Sequence, residues 1–125
     1  MISKINLAEK FAKLDAHWSP RVVGALDDAY LAKIAKLKDS FTWHQHDHED
    51  ELFLVISGQL IIELEDQKLT LGPGEMVVIP AGVMQNPIAE EECHVLVFEK
   101  KSTAHTGSKT LAATKSLDDQ LRPIY

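Results

Sequence analysis

The sequence predicts an all-β domain, closed or sandwiched, with a short helix near each end. Glycine and proline turns recur along the middle of the chain at roughly ten-residue spacing. The stretches between them are short, and their apolar residues alternate at the period of a strand. No solenoid repeat or low-complexity tract points to another architecture. The 125 residues suit a single domain spanning 1–125 around one core. A content of 45% hydrophobic and 26% charged residues sets the chain apart from disordered sequences.

The elements follow in order. Residues 6–14 read as a helix: Asn6 and Glu9 have capping-box spacing, and Leu7, Phe11 and Leu14 share one face that packs on the body. His17, Trp18, Ser19 and Pro20 end it and turn the chain, with Trp18 a packing residue or a cavity wall. Residues 21–26 and 29–38 are expected strands joined at Asp27 and Asp28. Helical propensity competes over the second of them, but a strand feeds the following segment with less linker. Residues 41–46 are extended, and 51–57 form a strong strand that pairs with 59–65 across Ser57 and Gly58.

If Glu51, Phe53 and Val55 point inward, Leu52, Leu54 and Ile56 form an apolar outer face that needs a cover. The amino-terminal segment or a second subunit would supply it, which makes a homodimer the expected assembly. Short strands near 68–71 and 76–79 flank the turn at Gly72, Pro73 and Gly74. The last two strands, 83–88 and 92–100, are expected to be linked by 89–91. Ser116 caps a short terminal helix reaching Leu121, with Asp118 and Asp119 in its first turn.

Charge and cysteine content narrow the partners. A formal net charge of −6 without a basic cluster disfavours nucleic acid and anionic membrane. Cys93 is the single cysteine, which fits a reducing compartment. The first residues carry charge too early for a secretory signal, and no apolar run approaches membrane-spanning length, so the expected location is the cytoplasm.

The chemistry concentrates in residues 43–58, WHQHDHEDELFLVISG. His44 and His46 fall on one side of an extended chain, and Glu51 returns to the same point if the polar residues between them bend. Two imidazoles and a carboxylate are a ligand set for divalent iron, manganese, zinc and related ions. The competing reading is a solvated, acidic, His-rich loop. His48, in register with His46, is an alternate ligand, although the spacing to Gly58 favours His44. His94 shares a face with Leu96 and Phe98 and would reach the site if that face is interior; a packed histidine is the alternative. Cys93 alternates with Val95 and Val97 as a packing residue. His105 sits in a polar loop and is expected to be exposed.

Gly74, Pro80 and Gly82 form a second motif that sets Gln85 at the start of a strand. Taken with His44, His46, Glu51 and Gly58, it resembles the cupin superfamily, whose first motif is G-x5-H-x-H-x(3,4)-E-x6-G and whose second is G-x5-P-x-G-x2-H-x3-N. Lys38 replaces the leading glycine, Gln85 the motif histidine and Ala89 the asparagine. The resemblance covers a barrel core of 29–99. Its flanking blocks are similar to small single-domain cupins of the Cupin_2 type, among them mannose-6-phosphate isomerase-like proteins.

The resemblance implies a double-stranded β-helix, a jelly-roll barrel with its site in the mouth. It also implies His44, His46 and Glu51 as metal ligands, with Gln85 in the fourth ligand position. The ion implied is iron, manganese, zinc or nickel. Since an amide oxygen is a weaker ligand than imidazole for such metals, a vacant or degenerate site is the alternative. Two functions fit: a metal-dependent enzyme on a small polar molecule, with Phe53 and Met84 shaping the wall, or a non-catalytic binding or sensor barrel. No residue stands out as a dedicated general acid or base, and the fold alone does not choose between these functions.

Overall fold

The computed structural model describes residues 2–107, 111 and 114–125. Helix α1 (Leu7–Ala12) precedes strands β1 (Arg21–Leu26), β2 (Tyr30–Ser40), β3 (Glu51–Ser57), β4 (Leu60–Leu64), β5 (Lys68–Leu71), β6 (Met76–Ile79) and β7 (Gln85–Lys100), and helix α2 (Leu117–Leu121) closes the order. The strands form the expected jelly-roll, a double-stranded β-helix wound from antiparallel pairs. One path runs β1-β2-β7-β3-β6, while β4 pairs with both β5 and β7.

Strand β7 joins the two halves of the barrel. Its second half lies between β2 and β3, where Val95 faces both Ala35 and Val55. Its first half pairs with β4, from Gln85 opposite Leu64 to Ile88 opposite Ile61. Two separate strands with a link at 89–91 were expected here, and the structure corrects this to one continuous element. Between Leu37–Cys93 and Asp39–Ala89 the register jumps, so residues 90–92 bulge out of the ladder. These three glutamates are exposed, and a bulge keeps their charges in water while the strand changes partner. Residues 41–46 also differ from expectation. They form no named strand and contribute one bridge, His44 to Gln85.

Alternation places the core. Phe53 and Val55 on β3, Leu60 and Ile62 on β4, and Cys93, Val95 and Val97 on β7 are buried together inside the barrel. A second cluster lies outside the sheet, where Phe11 and Leu14 cover Ile34, with Leu7, Ile56 and Ile124 around them. The amphipathic face of α1 thus packs as expected, with Asn6 Oδ1 accepting the Glu9 N–H at 3.1 Å. At the other end Ser116 Oγ accepts the Asp119 N–H. The tail beyond α2 returns to β1, where the Arg21 guanidinium donates to the carbonyls of Arg122 and Pro123.

Gly58 shows why the β3–β4 turn takes glycine. Its φ is +85°, and a Cβ there would sit 2.8 Å from the Glu92 carbonyl oxygen. Among the described residues no helix is long and apolar enough to cross a membrane.

A candidate metal centre in the barrel

Backbone pairing brings the two motifs together. His44 and Gln85 exchange both N–H···O bonds at 2.9 Å, and the Gly82 N–H donates to the His46 carbonyl at 2.8 Å. Asp50 accepts the Ala81 N–H at 2.9 Å, which fixes the turn after Pro80 against the loop that carries the histidines. This polar loop makes the bend that returns Glu51 toward His44 and His46.

His44, His46 and Glu51 are all buried, and one ligand atom from each lies within 4.8 Å of the others. They form a group that could hold a metal ion. The Thr42 carbonyl accepts the His44 Nδ1–H at 2.8 Å, which puts the lone pair on Nε2. His46 is different. Both of its ring nitrogens are buried without a hydrogen-bond partner among the described residues, and its Nε2 stands 3.4 Å from Glu51 Oε1. A buried imidazole is normally satisfied, so this pair of orphaned nitrogens fits the chemistry of a ligand.

Gln85 is fully buried, and its Nε2–H donates to Glu51 Oε1 at 2.8 Å. The amide therefore holds the carboxylate in place, while its own Oε1 has no partner. Burial raises the Glu51 pKa, but the adjacent His46 imidazole, followed by Glu99 and His44, outweighs it and brings the group down to about 2. Glu51 is an anion at neutral pH.

The remaining candidates sort by face. His94 points outward, stacked on Phe11 with ring centroids 4.5 Å apart, and pairs with Glu92. It does not supplement the triad. His48 is exposed and lines an outer pocket of about 260 Å³ with Tyr30 and Phe98. Cys93 is buried in the core, and burial pushes its thiol up to about 11, so it packs and does not react. Phe53 lines the central cavity, whereas Met84 is not part of its wall. Trp18 both packs and lines it, stacked on Phe41 and donating its indole N–H to the Lys38 carbonyl.

Three residues beside the triad were not anticipated. Glu99 faces Glu51 directly across β3 and β7. Lys33 reaches Glu99 Oε1 at 2.8 Å, with side chains only 1% and 5% exposed. Burial, followed by the Glu51 charge, drives the Glu99 pKa well above the usual carboxylate range, and Lys33 pulls the other way. His105 was expected in solvent. It lines the cavity instead, its ring against Phe41 and its Nδ1 accepting the Lys115 N–H at 2.9 Å. Gly107, with φ +63°, permits this approach, because a Cβ there would collide with the Gln45 carbonyl. A Lys–Glu pair interrupting two apolar interior rows was the available signal for Lys33 and Glu99. The loop around His105 carries no periodicity to read.

With this arrangement in view, the comparisons with known proteins are decisive for the family. The Cupin_2 model, a cupin domain, matches residues 30–99. The chain belongs to the Cupin_2 family. This cupin is similar to a cupin-2 domain protein from Shewanella frigidimarina NCIMB 400, at 45% identity and a TM-score of 0.75 over 77% of this chain and 93% of the other. It is also similar to NMB1881 from Neisseria meningitidis, with 25% identity and a TM-score of 0.72 over 78% and 99% of the two chains. KdgF from Halomonas sp. aligns at 27% identity and a TM-score of 0.58 over 65% and 77%. Among curated proteins, the uncharacterized protein YdbB of Bacillus subtilis (strain 168) is 30% identical over 56 residues, which is 44% of this cupin and 50% of YdbB. The cupin thus spans about half the length of that curated relative. The descriptions of these relatives name no isomerase, and the isomerase-like label stays an expectation.

Proposed function

We propose that this cupin binds one divalent ion through His44, His46 and Glu51, with Gln85 as orienting residue and fourth ligand, and acts on a small polar molecule in the barrel. The observation that carries this reading is His46, an imidazole whose two buried nitrogens make no hydrogen bond among the described residues and whose Nε2 stands 3.4 Å from an ionised carboxylate. When bound, such an ion supplies Lewis-acid polarisation or, if it is iron, oxygen chemistry. The chain's own residues do the rest. Gln85 fixes the Glu51 carboxylate, and the Thr42 carbonyl fixes the His44 tautomer. Trp18, Phe41 and Phe53 keep the cavity apolar and limit water.

A binding or sensor barrel without catalysis is the second reading, and Gln85 favours it, since an amide in place of imidazole weakens hold on the metal. Metal content of protein purified without chelator tests both. About one ion per chain, lost in His44→Ala, supports the proposal, and no ion under any metal supply removes it.

We also propose a homodimer through the outer face of β3 and β6. Helix α1 covers Ile56 but leaves Leu52 and Leu54 half-buried, next to Met76 and Val78 at 56% and 47% exposure. Light scattering on a concentrated sample should give twice the chain mass, and a monomer would refute this.

A further inference from the structure

The polar end of the barrel cavity is the part that metal binding leaves unexplained. Lys33 is fully buried, yet its ammonium has three N–H donors and makes one hydrogen bond among the described residues, to Glu99 Oε1. A buried ammonium with most of its donors unmatched is costly unless an acceptor reaches it. Glu99 is buried beside it, directly across from Glu51. His105 closes the same cavity from the loop after β7. Because its Nδ1 accepts from Lys115, Nε2 carries the proton of the neutral ring and is a further donor.

Charge gives the sign of the missing group. The titratable residues lining the cavity are Lys33, His44, Glu51, Glu99 and His105. With a divalent ion on the triad, Glu51 cannot balance both the ion and Lys33, so the cavity is net positive whether Glu99 is ionised or protonated. Volume gives the size. The cavity measures about 50 Å³, room for a few water-sized atoms at roughly 10–15 Å³ each. Two donor side chains and so little space suit a planar carboxylate better than a phosphate, which needs more donors around its oxygens.

We propose that the barrel takes a short-chain carboxylate, with Lys33 receiving the carboxylate group, His105 as a second donor, and the carbon skeleton against Trp18 and Phe41. This deepens the binding function proposed above and rests on it for the opposite end of the ligand. Glu99 holds Lys33 in position and gives it up in part when the ligand's oxygens arrive.

Calorimetric titration of metal-loaded protein with acetate, glycolate and pyruvate, against acetamide and inorganic phosphate, tests the assignment. At least one carboxylate should bind saturably, at least tenfold more tightly than acetamide or phosphate. Lys33→Met should lose at least tenfold of that affinity with unchanged metal content. If Lys33→Met folds poorly, the charge-neutral pair K33M/E99Q serves in its place. Carboxylate affinity equal to wild type in the folded variant, or no preference over acetamide and phosphate, overturns the proposal. If wild-type protein loads no metal, the metal reading falls and the charge argument with it, and the unmatched donors of Lys33 and His105 alone still point to an anion. Chemical shifts of Lys33 and His105 in the metal-free protein then decide: movement with acetate and not with acetamide supports the carboxylate site, and no movement rejects it.

Discussion

Replacing Lys33 with Met tests the buried network through stability alone. The substitution keeps most of the side-chain volume and deletes the charge from a pair whose partners are 1% and 5% exposed. Breaking a buried pair costs about 3–5 kcal/mol when the surviving charge stays ionised. Glu99 has an escape, because its folded pKa is already raised by burial and by Glu51, against the pull of Lys33. Removing Lys33 raises it further, so the folded variant carries the Glu99 proton over a wider range of pH than the unfolded chain does. Folded protein then binds more protons than unfolded, and stability falls as pH rises.

The expected loss relative to wild type is about 1–2 kcal/mol at pH 6, near the value of one charge-assisted hydrogen bond. It should grow toward about 3–5 kcal/mol as pH rises past the point where Glu99 ionises in wild type and stays protonated in the variant, at no more than about 1.4 kcal/mol per pH unit. Urea denaturation across this range, with constant m-values as the two-state check, measures it. K33M/E99Q should show no such growth. A loss in Lys33→Met as large at pH 6 as at pH 8 would refute the reasoning, because it would mean that removing Lys33 does not change the proton held by Glu99 in this range.

Two further outcomes follow from the site. His105 is held down to about 4 by burial first and by the Lys33 charge, with the Glu51 charge opposing. A depressed folded pKa gives stability that is complete above the unfolded value near 6.5 and is lost as pH falls through the folded one. The full shift is worth about 3 kcal/mol, trimmed to about 1–2 by the ring's partial solvent access; wild-type urea midpoints should therefore drop between pH 7 and 5, and His105→Gln should flatten that drop. Gln85→His completes a three-imidazole, one-carboxylate set and should tighten zinc or nickel binding by about tenfold or more in a chelator competition, whereas unchanged affinity would show that position 85 does not reach the ion.

Most of the barrel was legible because its boundaries are local chemistry. Asp27 and Asp28 both take positive φ in the β1–β2 turn, Gly58 turns β3 into β4, and Pro80 ends β6. Strand β7 was not legible as one element, because residues 90–92 look like a polar link, and only the change of partner from β3 to β4 explains a strand that continues through them. The grouping of His44, His46 and Glu51 was legible in their spacing and the polar bend between them, and Gln85 only through the resemblance to the second motif; residues 41–46 form no strand, and the bridge from His44 to Gln85 joins the two motifs. Lys33 and Glu99 lie in the interior rows of Leu31, Ala35 and Leu37 and of Val95 and Val97. Period-two alternation placed them there, but a lysine or glutamate in a strand reads as solvent-facing until the pairing of β2 with β7 shows that the two meet inside the barrel. His105 depends on one backbone hydrogen bond from Lys115 and on Gly107 clearing Gln45, contacts that leave no pattern in the chain.

The account stands on His44, His46 and Glu51 sharing one ion. Elemental analysis of wild-type protein and of His46→Ala, purified side by side without chelator, measures this directly. About one equivalent of a transition metal per wild-type chain, and near none in a His46→Ala protein that remains folded, is the predicted result. Equal metal content in the two proteins, or none in wild type after supply of iron, manganese, zinc and nickel, would contradict it.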